Sequence, residues 1–357
     1  MSPFSKNEFI TAAILFLVVA AFVFSSRTYR LYNAGAVSAQ QQTILFLDER
    51  TNLEQLADKL EELPIRFDRR EMIWAGRLLG WRFFRAGRYE LKDRYSYEKF
   101  LSDLARGIQT PGNVTVLPGT DIGRFSRHLA AQVQADSASI AAQFHDSSAV
   151  AIDLGYTGEE LFSRMLPNTY QVYWTSSPQN IVRRIYREFQ SNIENRLQGL
   201  IAQSQFDINE IVILASIVEW EARHAEEKPI ISGLYINRLN RNMMLQADPT
   251  VLYALGERRR VLFEDYRIDH PYNTYRIRGL PPGPITNPDE ASIRAVLQPE
   301  DHDYLYMVAA PDGSHVFSRT FEEHRRASAE WRSWIREQYR IQRQREREQQ
   351  EQEQSRD

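Results

Sequence analysis

Apolar and polar positions alternate differently in successive parts of the chain. From Phe9 to Phe24 no charge interrupts the apolar run, and Ser25 and Ser26 extend the uncharged stretch to 18 residues. A helix of that length crosses the hydrocarbon of a bilayer. The alternative is a cleaved leader with Val37-Ser38-Ala39 as its small-residue cleavage site. That site lies far past the apolar run, so the pattern predicts a retained anchor over residues 1–26. Lys6 stands on one side of it and Arg27 and Arg30 on the other, which leaves orientation open.

Residues 27–42 show no periodicity and read as a linker. Short strands then alternate with short amphipathic helices. Ile44–Leu47 reads as a strand, and Thr51 as the cap of a helix with Leu53, Leu56, Ala57 and Leu60 on one face. Met72–Leu79 is helical, Gly87–Leu91 is a turn and strand, and Tyr97–Leu104 is a helix closed by Gly107. These make a small α+β module over 43–110. A larger mixed α+β domain follows over 111–335. It opens on a strand at Val114–Leu117 and continues through helices, of which Ile181–Leu200 is the longest. Asn209–Arg223 and Ile230–Leu239 are further helices. His270–Pro288 has too many helix and strand breakers to be regular, and Tyr304–Ala309 with His315–Ser318 flank Pro311-Asp312-Gly313 as a hairpin. The charged tail 336–357 reads as a solvated helix extension that frays into disorder. The fold class is α+β with an N-terminal transmembrane helix.

Composition narrows the chemistry. With 43% hydrophobic and 25% charged residues the chain is expected to fold. The 44 basic and 47 acidic residues give no global field for nucleic acid. No cysteine is present, so disulfides and thiolate chemistry are excluded. The histidines show no metal-ligand spacing, and no metal site is expected.

The segment Ile211 to Ala222 is apolar nearly all round, which predicts a buried helix, and Glu219 lies inside it. On a 3.6 period Val212, Ala215, Ser216, Glu219, Ala222 and Arg223 share a small, polar face. Such a face offers room for a ligand and one acid, whose pKa burial would raise as general acid catalysis requires. A structural Glu219 paired with Arg223 is the alternative. Glu221 points to another helix face and reads as a salt-bridging or capping residue. In Leu245-Gln246-Ala247-Asp248-Pro249-Thr250, Asp248 reads as a helix cap with Pro249 at the first helical position, and Gln246 as free to reach a ligand hydroxyl. Tyr272-Asn273-Thr274-Tyr275 and Gly279-Leu280-Pro281-Pro282-Gly283-Pro284-Ile285 form a stiff, polar, aromatic loop that suits a sugar.

These segments, with Leu214-Ala215-Ser216-Ile217-Val218-Glu219-Trp220-Glu221, Ile236-Asn237-Arg238-Leu239 and the hairpin through Gly313-Ser314-His315-Val316-Phe317-Ser318, resemble the YceG-like family over residues 43 to 324. The resemblance implies a single bacterial inner-membrane anchor, a LysM-like module and a catalytic domain outside the cytoplasm. It implies an endolytic lytic transglycosylase that cuts the β-1,4 bond between N-acetylmuramic acid and N-acetylglucosamine in peptidoglycan and leaves a 1,6-anhydro end. Glu219 matches the catalytic glutamate, general acid and then base, with Ser216, Gln246, Asp248, Tyr272, Asn273, Thr274 and Tyr275 as substrate-binding candidates. No cofactor is implied; peptidoglycan synthases (penicillin-binding proteins) are implied partners. Two other functions compete: a hydrolytic muramidase using Glu219 and Asp248, and a non-enzymatic, membrane-anchored wall-binding scaffold.

Overall fold

A computed structural model describes residues 6–92 and 94–354; the first five residues and the last three of the sequence's anchor and tail segments lie outside them. Two compact units make up the chain. One comprises Met1–Val114 with Ala131–Ala135 and Gln171–Ser176, and the other Thr115–Ala130, Asp136–Tyr170 and Ser177–Asp357. The sequence placed one contiguous boundary near residue 110. Two later segments nevertheless belong to the first unit, where Trp174 packs on Phe46 at 5.0 Å between ring centroids.

In the first unit the apolar helix runs from Lys6 to Tyr32. It is long and apolar enough to cross a membrane. The expected linker is ordered instead. Arg30 makes a two-pronged contact with Glu71, with both N···O distances 2.7 Å, and its guanidinium lies 3.9 Å from the Trp74 ring centroid. Leu31 and Val37 are buried among Leu45, Leu56, Met72 and Phe100. Val37–Ala39 is the middle strand of a three-stranded antiparallel sheet, between Ile65–Arg66 and Arg94–Tyr95.

The expected module elements are present. Thr43–Leu47 pairs antiparallel with Gly87–Leu91. Helix Leu53–Glu61 is capped by Asn52 rather than Thr51, through a reciprocal bond with Gln55; Thr51 sits in a two-residue strand. Helix Tyr97–Arg106 ends at Gly107, whose φ of 74° favours glycine.

The core of the second unit surrounds helix Ile208–Glu221. Asp207 and Glu210 form a capping box at its start, and it stops where Ala222 turns extended. Ile211 to Val218 are all buried, against helices Lys228–Asn240, Asp248–Leu255 and Glu290–Leu297. Of the small-residue face predicted to form a groove, Val212, Ala215 and Ser216 are core, whereas Arg223 at its far end is exposed. The predicted Ile181–Leu200 helix is broken into Pro178–Phe189, a π-helical turn at Gln190–Asn195 and a separate helix Gln198–Gln203. Tyr306–Ala309 and His315–Ser318 form the expected hairpin, with Ala309 opposite His315. Beyond it helix Phe321–Gln354 carries the expected helix extension as far as Gln354, further than the fraying tail read from the sequence. Pairs such as Glu337–Arg340, at 2.7 Å, and a run of good helix formers support it.

Candidate functional site

Glu219 and Glu221 leave the same helix in different directions and meet different chemistry. Three donors converge on Oε2 of Glu219: Lys228 Nζ at 3.0 Å, Ser292 Oγ at 2.6 Å and the Asp289 backbone N–H at 3.2 Å. Lys228 also holds both carboxylate oxygens of Asp289 at 2.8 Å. The Lys228 and Glu219 side chains are only 8% and 9% exposed. Burial, with the charge of Asp289, raises the Glu219 pKa against the pull of Ser292 and Lys228. Asp289 is held below its ordinary range by Lys228 and by its capping bond to the Ser292 N–H, despite burial. This is a buried ion cluster tying three helices together. Its cation is Lys228, nine residues on, and not Arg223, the partner in the alternative reading of the sequence.

Glu221 is the last helical residue and lines a cavity of about 290 Å³ with Tyr235, Arg238, Gln246, Asp248, Tyr275 and His315. The Tyr235 hydroxyl donates to Oε1 of Glu221 at 2.9 Å. Burial raises the Glu221 pKa to about 7; the Tyr235 bond opposes the rise and the nearby charge of Asp248 adds to it. A carboxyl poised there is protonated for part of the neutral range, which suits proton transfer to a leaving group.

The cavity is built from loops that the core pins. Arg238 donates to the carbonyls of Leu245, at 2.8 Å, and Leu305, at 2.6 Å, and to Gln246 Oε1 at 3.2 Å. Gln246 takes a left-handed φ of 52°, a conformation that costs a non-glycine residue about 1–2 kcal/mol. Its N–H donates to Thr274 O at 3.1 Å. Asp248 is not the helix cap. Ala247 occupies that position without a side-chain bond, and Asp248 is the first helical residue. Its carboxylate accepts from the Tyr275 hydroxyl at 2.6 Å and the Tyr266 hydroxyl at 3.4 Å. Burial and that carboxylate push the Tyr275 pKa up.

The sequence-derived candidates therefore separate. Gln246, Asp248 and Tyr275 line the cavity. Ser216 is fully buried, donating to Ile213 O and accepting the Ile285 N–H at 3.0 Å. Thr274 is likewise buried and bonds Ala247 N and Thr250 Oγ1. Asn273 is buried too, with its amide on the carbonyls of Tyr266 and Ile268. These three brace the loop from inside. Tyr272 points elsewhere, donating to Glu159 at 2.8 Å. Glu221, read from the sequence as a salt-bridging or capping residue, instead lines the cavity and bonds Tyr235; Tyr235 and Arg238 were not proposed as site residues, and the available signal was their spacing, which puts them on one helical face.

The sequence profile of the YceG-like family matches residues 45–330. The chain belongs to the YceG-like family. Similar proteins include one from Bacillus subtilis named endolytic murein transglycosylase, 28% identical over 70% of this chain and 73% of its own length. A protein of the same name from Streptococcus pneumoniae is 31% identical over 46% of this chain, which spans only 31% of that relative. Among solved structures, a yceG-like protein from Listeria monocytogenes superposes with a TM-score of 0.55 at 25% identity, over 81% of this chain and all of the other. The mixed α+β fold read from the sequence is thus the fold of this YceG-like family member.

Proposed function

We propose that this YceG-like chain is an endolytic lytic transglycosylase of peptidoglycan, with Glu221 as its general acid. It cuts the β-1,4 bond between N-acetylmuramic acid and N-acetylglucosamine, and the muramoyl 6-hydroxyl replaces water as attacking group. The observation that carries this reading is the position of Glu221, at the open end of its helix in a cavity with Gln246, Asp248 and Tyr275. The names of the relatives supply the reaction. Glu221 protonates the leaving oxygen, and Asp248, which accepts hydrogen bonds from two phenols, faces the positive charge that develops at the anomeric carbon. Glu219, expected from the sequence as the acid, instead holds helices together through Lys228.

Hydrolysis is the second reading, because Asp248 is not spent on capping its helix. Digestion of glycan strands in heavy-oxygen water separates the two. The transglycosylase gives ends lighter by one water and free of label; stoichiometric label at the new reducing ends would mean a muramidase. Loss of turnover in Glu219→Gln with full activity in Glu221→Gln would return the role to Glu219.

The helix Lys6–Tyr32 serves as a retained anchor, with both folded units outside the cytoplasm. Cleavage after Ala39 would remove the middle strand of the first unit's sheet, which favours retention. Protease added to spheroplasts should digest the folded units; protection until lysis would reverse the orientation. The first unit acts as the LysM-like module of the resemblance, and peptidoglycan synthases are the partners that supply nascent strands. Co-purification from crosslinked membranes tests that partnership.

A further inference from the structure

The hairpin contributes a side chain that the reaction so far leaves unused. His315 lines the cavity that holds Glu221. Its Nδ1 lies 3.0 Å from Glu227 Oε2, and its backbone N–H donates to Oε1 of the same residue at 2.7 Å. Glu227 is buried. A carboxylate there accepts, so Nδ1 carries a hydrogen, and in the neutral ring Nε2 keeps its lone pair. Among the described residues Nε2 takes no hydrogen bond, and it is not shut away from solvent. One basic nitrogen is thus presented at the cavity while a buried carboxylate clamps the far side of its ring. Such a carboxylate fixes the tautomer and offsets the charge of an imidazolium. Glu221, in contrast, has one oxygen engaged by Tyr235, which leaves the other for the leaving group.

We propose that His315, positioned by Glu227, is the base that takes the proton of the muramoyl 6-hydroxyl, a role that rests on the transglycosylase reading. The Glu221 proton moves to the glycosidic oxygen as the bond from that oxygen to the muramoyl anomeric carbon breaks. The 6-oxygen bonds to that carbon, and its proton passes to Nε2. The imidazolium then returns a proton to the Glu221 carboxylate, and no water is consumed.

The test uses the full chain in detergent with purified glycan strands, following anhydro ends by mass spectrometry. His315→Gln and His315→Ala should lower kcat about a hundredfold or more, with KM changed less than threefold. External imidazole should restore part of the turnover of His315→Ala, and Glu227→Gln should lower kcat less than either His315 variant. Circular dichroism checks that each variant is folded. Turnover of His315→Ala within threefold of the parent would overturn the assignment. So would a loss confined to KM, or a folded His315→Ala that imidazole does not rescue. If the parent chain itself makes no anhydro ends, the transglycosylase reading fails instead.

Discussion

Replacing Glu221 by Gln should abolish activity and stabilise the protein, with a defined pH dependence. Burial lifts this carboxyl from 4.5 to about 7. At about 1.4 kcal/mol per pH unit, that shift corresponds to about 3 kcal/mol. It is an upper bound, because Glu221 keeps part of its surface open to the cavity. Between these two values the folded chain holds a proton that the unfolded chain has released. Stability contributed by the group is therefore full below pH 4.5 and lost as pH rises through about 7. Gln stays neutral throughout and can still accept from Tyr235. The variant should melt with the parent at pH 4.5 and above it at pH 8.5, by about 2–4 °C per kcal/mol. Thermal unfolding of the full chain in detergent at both pH values measures the difference, and strand digestion shows whether turnover falls about a hundredfold or more. A variant no more stable than the parent at pH 8.5, or one that still cuts, would refute the assignment of a buried proton donor at this position.

Asp248→Asn removes a negative neighbour that helps raise the Glu221 pKa, so the alkaline limb of the pH–rate profile should move to lower pH; an unmoved limb would separate the two groups. Lys228→Met leaves Glu219 and Asp289 facing one another without their cation and should cost about 3–5 kcal/mol near neutral pH, read by denaturant unfolding. Asn273→Ala removes two donors and an acceptor from a buried loop and should cost about 1–3 kcal/mol; slowed turnover in a fully stable variant would give Asn273 a direct role. Gly283→Ala would place a methyl 2.5 Å from the Tyr272 hydroxyl and should cost about 1–3 kcal/mol, visible as a lower melting temperature.

Periodicity located the elements well where they are amphipathic. The strand over Thr43–Leu47 and the helix from Tyr97 to Gly107 appear within a residue or two of their predicted bounds, because local pattern and packing agree there. It could not orient Glu219 and Glu221. Their helix is apolar nearly all round, and the one small, polar face that the period marks is buried along Val212, Ala215 and Ser216. The cavity at its end is assembled by residues from the loops at Gln246 and Tyr275 and from the hairpin. The same limit explains Ser216, a helix residue whose hydroxyl accepts the Ile285 N–H, and Asn273 and Thr274. Polar residues in a Pro- and Gly-rich loop look like ligand contacts until the backbone groups they satisfy are seen. Asp248 differs for a simpler reason: a one-residue shift of the helix start moved the cap to Ala247 and freed the carboxylate.

The junction between the apolar helix and the first unit also bears on how a bilayer would act on the protein. Arg30, Leu31 and Val37 tie the junction to the core of that unit. A helix of 27 residues is about 40 Å long, against a hydrocarbon thickness of about 30 Å, and a span adapts to thinner or thicker lipid mainly by tilting. With a loose tether, that tilt would dissipate within the linker. If the helix spans a bilayer as proposed, tilt would be passed through these contacts to the folded unit, and a change in lipid thickness would become a change in the angle at which the unit leans over the membrane surface.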